Sequence, residues 1–261
     1  MIAKLMKYDI KKISKLLVYL YGAALISAGV TRFIYLWKDI QVVAILGYIF
    51  SGMTYSLIAS ILVNTFVQIL RVFINNFYKD ESYLTHTLPV DKHHLLLSKF
   101  LSGLVVIFSS VLVCFASLFI LFYSKEFVLG LTTFIETMVS SYNMSTAGFI
   151  SLLVLLIFAQ ICSLISMSFA ATVKANTYNK KRVSKGLLWF LVFYFGSMNA
   201  TLLSVLIVFA ITGNLSQFLA ATLSQTAFIT ISIVGLISYI FMAVLFYILC
   251  DKWFKKGVNV D

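Results

Sequence analysis

Apolar residues fall in long unbroken runs along this chain, and the charged residues collect between them. The runs cover about 16–36, 42–70, 100–123, 147–173, 187–212 and 226–250. A hydrocarbon core about 30 Å thick takes roughly 20 residues of helix to cross, so each run is long enough for one crossing. The second and fourth have residues to spare for tilt or for protrusion into the cytosol. Continuous runs predict helices, because a barrel would show short alternating strands instead. The single proline, Pro89, lies outside every run. The pattern predicts an all-α polytopic membrane protein, with residues 1–261 as one transmembrane domain. Residues 1–15 precede the first span, and 251–261 form a tail.

Composition agrees. Hydrophobic residues make up 61% of the 261, charged residues 11%, and mean hydropathy is +1.01, which excludes an ordinary water-soluble domain. With 24 Phe and 14 Tyr the chain cannot stay solvated and disordered. The net charge of +11 does not point to nucleic acid once the charges are placed. Lys4, Lys7, Lys11, Lys12 and Lys15 precede the first span. Arg71, Lys79, Lys92 and Lys99 lie between the second and third, and Lys174, Lys180, Lys181, Arg182 and Lys185 between the fourth and fifth. Lys252, Lys255 and Lys256 follow the sixth. The other side keeps only Arg32, Lys38 and Lys125. This asymmetry predicts cytoplasmic termini in a plasma-membrane protein and leaves the lysines to set topology and touch anionic lipid. The N-terminus begins like a signal peptide but lacks a clear cleavage site, so it reads as an uncleaved first span. Cys114, Cys162 and Cys250 are odd in number, lack metal spacing, and read as buried free thiols.

Candidate chemistry is sparse. The nine acids are Asp9, Asp39, Asp80, Glu81, Asp91, Glu126, Glu136, Asp251 and Asp261, all in loops or at span ends. Ion-coupled carriers keep ionisable groups at mid-membrane depth, so proton or sodium coupling is disfavoured. No HExxH, phosphate-binding loop or GxSxG motif is present, and no nucleophile has a base beside it. The expectation is no catalytic residue and no metal in this chain. His86, His93 and His94 share one loop, but the adjacent pair would diverge by about 100° on a helix, and no thiol or acid completes the set at good spacing.

Ser56, Ser60, Asn64 and Gln68 recur every four residues on the second span and share a face. Two readings stand: hydrogen-bonding glue between helices, and the lining of a translocation pathway. Ser232, Gly235 and Ser238 on the sixth span suggest close helix packing, and Gln160 and Asn199 read as structural amides.

Outside the spans, residues 1–15 predict an amphipathic helix lying in the headgroup layer, with Ile2, Leu5, Met6, Ile10 and Ile13 on its apolar face. Two uses of it stay open: a lipid anchor, or a lever docked on a partner. Between the second and third spans runs RVFINNFYKDESYLTHTLPVDKHHLLLSK. Asp80 or Ser82 would cap a short helix through Thr87, Pro89 would end it, and Asp91 would cap the helix leading into the third span. Such a knob, carrying Tyr83 and Leu84, suits a partner's groove. An interfacial turn resting on lipid is the plainer alternative.

KLMKYDIKKISK, DESYLTHTLPVDKHHLLLSKFLSG and DKWFKKGVNVD together resemble the permease subunits of bacterial ABC-2-type transporters, in particular small peptide-exporter permeases of Gram-positive bacteria. The six-span layout agrees with that family over the whole chain. The resemblance implies two permease subunits, identical or paralogous, on a cytosolic ABC ATPase dimer that binds the ATP and magnesium; this chain itself would hydrolyse nothing. It implies a coupling helix at Asp80, Glu81, Ser82, Tyr83, Leu84, Thr85, His86 and Thr87, and a connecting helix carrying Lys4, Tyr8, Asp9, Lys11 and Lys12. It implies short re-entrant helices near Asn214–Gln225, built on Leu215, Phe218, Leu219 and Leu223. The 124–146 stretch departs from the short outer loop of the family, with Phe127, Leu131, Phe134, Ile135 and Met138 in helical rhythm. The expected cargo is amphipathic or membrane-active peptide; lipids or hydrophobic drugs come next. A non-transporting membrane scaffold is the reading from another class.

Overall fold

The computed structural model describes residues 2–37, 40–79, 81–82, 91–178, 182–213 and 225–255. Among them are seven helices and no strand: α1 (Ile2–Tyr35), α2 (Gln41–Tyr78), α3 (Lys92–Phe122), α4 (Lys125–Ser141), α5 (Thr146–Ala175), α6 (Arg182–Ile211) and α7 (Gln225–Lys255). All but α4 are long and apolar enough to cross a membrane, the build of a multi-pass membrane protein. At 1.5 Å per residue a 30-residue helix reaches about 45 Å, more than the hydrocarbon core. Large apolar side chains such as Ile26, Val63, Leu187 and Ile211 lie open on the helix faces. Water would not tolerate so much open apolar surface, whereas lipid is its natural solvent.

The chain divides into two compact units, Met1–Gly130 and Leu131–Asp261, the division falling inside α4. In unit 1, α1 packs along both α2 and α3. Small residues allow it: Ala24 is fully buried against Ile61 and Cys114, with Tyr21 and Leu57 around them. Where α1 ends, Gly47 of α2 lies so close that an added Cβ would stand 3.0 Å from Tyr35 Cε1. In unit 2, α5 lies along α7 and against α6. Val205, Phe209 and Ala227 form a small core there. Gly235 of α7 faces Leu156 of α5, and Ser204 bonds Ser238 at 3.0 Å, so the small residues of α7 serve packing.

Local signals explain the helix ends. Ser124 Oγ accepts from the Phe127 N–H at 3.0 Å before α4, and Ser145 Oγ accepts from Gly148 N–H at 3.1 Å before α5. Gly213, at φ +71°, follows the end of α6, a conformation that glycine adopts freely.

Two expectations change. The separate interfacial helix at 1–15 is absent as an element: α1 runs without interruption from Ile2 to Tyr35, because nothing between Lys15 and Leu16 breaks the backbone hydrogen bonding. The helices also outrun the apolar runs, α2 continuing to Tyr78 and α6 starting at Arg182. The 124–146 stretch is largely the helix α4, 17 residues with none buried, in keeping with its helical rhythm, and α3 starts at Lys92, as expected of the helix leading into the third span. Asp91 does precede α3, but its carboxylate makes no cap bond and sits 3.7 Å from His94 Nδ1.

Candidate functional site

The first candidate lies in unit 1 where the start of α1, the end of α2 and the start of α3 meet, next to Glu81 and Ser82. Asp9 of α1 is 1% exposed, on a helix otherwise rich in lysine. Lys99 of α3 donates to its Oδ1 at 2.5 Å and is itself buried. Asn76 of α2 joins them: its Nδ2 lies 3.3 Å from Asp9 Oδ1. Turned the other way, the amide donates to Glu81 Oε2 at 2.5 Å and to the Val72 carbonyl at 3.2 Å while accepting from Lys99, which gives both of its ends a partner. Lys12, one turn beyond Asp9, pairs with Glu81 Oε1. The five side chains thus tie three helices to the first residues of the α2–α3 loop.

Asp9 and Lys99 lie on the helix ends outside the apolar stretches. Burial pushes the Asp9 carboxyl above the ordinary carboxylate range, and the Lys99 charge opposes that. Burial likewise pushes the Lys99 ammonium down, and Asp9 opposes it. Neither is comfortable as a charge without the other, and Asp9 Oδ2 is buried with no hydrogen-bond partner among the described residues. A buried pair of this kind is weak evidence for stability, since desolvation consumes most of the attraction. Its effect is geometric: only one docking of α1 on α3 satisfies both groups.

Of the residues expected for coupling, only Glu81 and Ser82 are described. Ser82 is buried, and its N–H closes a turn on the Lys79 carbonyl at 2.7 Å. Asp80, Tyr83, Leu84, Thr85, His86 and Thr87 lie outside the described residues, as do Pro89 and the 214–224 part of the expected re-entrant segment. Of the connecting-helix set, Asp9 and Lys12 enter the network, whereas Lys4, Tyr8 and Lys11 are exposed.

The expected pathway stripe is placed differently from the helix contacts. Asn64 Nδ2 donates to the Ser60 carbonyl at 2.9 Å and to Ser60 Oγ at 3.0 Å, bonds within α2, and Ser56 is exposed. Other hydroxyls of α2, at Thr54 and Thr65, join the helices instead. Thr65 bonds Ser110 at 2.7 Å, Ser110 bonds Tyr21 at 2.6 Å, and Thr54 bonds Ser27 at 2.8 Å and Thr31 at 3.2 Å. Sequence reasoning missed these rungs. The sign that would have found them is Thr54, Ile61, Thr65 and Val72, which share the mixed three-and-four spacing of a buried face.

Unit 2 holds a different feature, a groove of about 510 Å³ between α5, α6 and α7. Its walls are mostly apolar, with Met167, Met198 and Leu202 among them, and its polar groups are Gln160, Ser163, Tyr194, Asn199 and Tyr239 among others. The two amides that read as isolated in the sequence therefore line one cavity. Asn199 Nδ2 donates to the Phe195 carbonyl of its own helix at 2.7 Å. No group of three or more metal-ligating side chains occurs among the described residues.

Comparison with known proteins finds no matching family model, no matching curated protein and no matching solved structure. What the fold defines is a class: a multi-pass helical membrane protein.

Proposed function

We propose that this chain is the membrane-spanning permease subunit of an ATP-driven exporter of the ABC-2 type, moving amphipathic or membrane-active peptides out of the cell. The observation that carries the reading is the network of Asp9, Lys12, Asn76, Glu81 and Lys99. A bundle without its own energy source has to be driven at a point where force on a loop reaches several helices. Glu81 begins the loop that would meet the ATPase, and Lys12 ties it to α1. Lys99 and Asp9 tie α1 to α3. In this mechanism ATP binding draws the two ATPase subunits together, the 80–87 segment moves with them, and the network passes that motion to the bases of α1 and α3. The path then alternates between inward and outward access. Hydrolysis, with its ATP and magnesium, belongs to the partner subunits, and both termini of this chain face the cytosol. The groove in unit 2, greasy with a few hydrogen-bonding groups, favours an amphipathic cargo over a sugar or an ion. Lipid or hydrophobic drug is the second reading, favoured by the same apolar walls.

The test is assembly. The full chain purified from its native membrane brings down a nucleotide-hydrolysing subunit in fixed ratio, and the Tyr83→Ala/Leu84→Ala variant loses it. ATP hydrolysis by the chain purified alone, or undiminished assembly of the double variant, would overturn the proposal.

A further inference from the structure

We propose that unit 2 carries a binding site for an anionic phospholipid, its headgroup held where the end of α5, the start of α6 and the end of α7 meet. The proposal needs only a multi-pass membrane protein and stands apart from the transporter reading.

Lys174, near the end of α5, lies over two indole rings, 5.6 Å from the Trp189 centroid on α6 and 5.1 Å from the Trp253 centroid on α7. Lys185 of α6 lies 3.9 Å over the Tyr178 ring. Phe193 stacks on Trp253 at 6.2 Å and fixes its plane. Rings hold these ammonium groups in place without neutralising them, since a cation–π contact leaves the charge and the N–H donors intact. Among the described residues no carboxylate pairs with Lys174, Lys185 or Lys252. Asp251 of α7 is bound by Lys255 at 2.6 Å. In unit 1, by contrast, Lys12 and Lys99 pair with Glu81 and Asp9.

The position selects lipid. The charges stand just beyond the apolar stretches of α5, α6 and α7 and are ringed by Trp and Tyr, the arrangement of a membrane–water boundary. Basic hollows between spans at that level bind anionic headgroups. From Lys185 an apolar strip runs along α6 through Leu188, Val192 and Phe195, which lines a shallow hollow and is about half exposed at each residue. One turn separates each of these positions from the next, so a chain laid along them would start at the lysines. A free phosphate satisfies the charge but leaves the strip uncovered; a phospholipid covers both.

Trp189 and Trp253 supply the readout. Trp37 is the only other tryptophan, so the Trp37→Phe protein reports on this junction alone. It is titrated in detergent with dioctanoyl phosphatidylglycerol, dioctanoyl phosphatidylcholine and inorganic phosphate, and indole fluorescence is followed. The expected result is a saturable change with phosphatidylglycerol at roughly tenfold or more lower concentration than with phosphatidylcholine, and none with phosphate. Lys174→Gln/Lys185→Gln removes that preference, and Lys4→Gln/Lys7→Gln keeps it. Lys185→Gln alone, expected to weaken it several-fold, serves should the double variant fail to fold. Equal response to the two lipids, a response to phosphate, loss of preference in the Lys4/Lys7 control, or its retention in the Lys185 variants overturns the proposal.

Discussion

The two units solve the same problem, fixing three apolar helices at their charged ends, by opposite chemistry. Unit 1 pairs its charges, Asp9 with Lys99 in the interior and Lys12 with Glu81 partly exposed, with Asn76 between them. Among the described residues of unit 2, Lys255 pairs with Asp251, whereas Lys174 and Lys185 have no acid and rest against Trp189, Trp253 and Tyr178. Higher up, unit 1 is stitched by hydroxyl rungs from α1 to α2 and from α2 to α3, whereas α6 of unit 2 buries only Val205 and Phe209 and leaves a groove beside it. Lipid tails offer no hydrophobic drive between helices, so association depends on packing and on polar bonds that have no better partner. Unit 1 is built for one fixed arrangement. In unit 2, α5 and α7 pack closely and the groove opens beside α6.

Substitutions should break this contrast in a definite order. The largest effect belongs to Lys99→Met, which strands Asp9 in the interior. It should cost about 3–5 kcal/mol, read as thermal unfolding in micelles, and Asp9→Leu in the same protein should return most of it. Trp253→Ala comes next. It removes the stack on Phe193 and one side of the Lys174 sandwich, for about 1–2 kcal/mol, and should leave the unit 1 network untouched. Thr65→Val removes the hydroxyl that bonds Ser110 while keeping its shape. A loss near 0.6 kcal/mol is expected, the usual worth of such bonds between membrane helices. Gly235→Ala should be nearly silent, because the new Cβ would meet Leu156 only at 3.9 Å, an ordinary contact. A Thr65→Val cost rivalling that of Lys99→Met would dissolve the distinction between the paired base and the rungs above it.

The sequence carried some of these features on its face and hid others. The six crossings were legible because apolar runs of that length have one use. The helix ends were not, because the backbone still needs its own hydrogen bonds near the headgroups, and lysines such as Lys92 reach water from within a helix. Ser56, Ser60, Asn64 and Gln68 looked like one face, yet a strict four-residue step drifts about 40° each time around a 3.6-residue helix. The contact face is the one through Thr54, Ile61, Thr65 and Val72. Asp9 read as an acid outside the spans and as part of the expected connecting helix, with no partner named. Its partner Lys99 is 90 positions away, and no local pattern reports a pairing at that separation. Gln160 and Asn199 sit on different helices, and only the packing of α5 with α6 and α7 brings them to one groove.

The central claim is that force enters at the start of the α2–α3 loop and reaches α1 through Lys12 and Glu81. Charge reversal tests it most directly, with ATP hydrolysis by the assembled complex as the readout. The account predicts that Lys12→Glu lowers the coupled rate at least severalfold and that adding Glu81→Lys restores it. A Lys12→Glu complex with an unchanged rate, or a double reversal as impaired as the single, would contradict it.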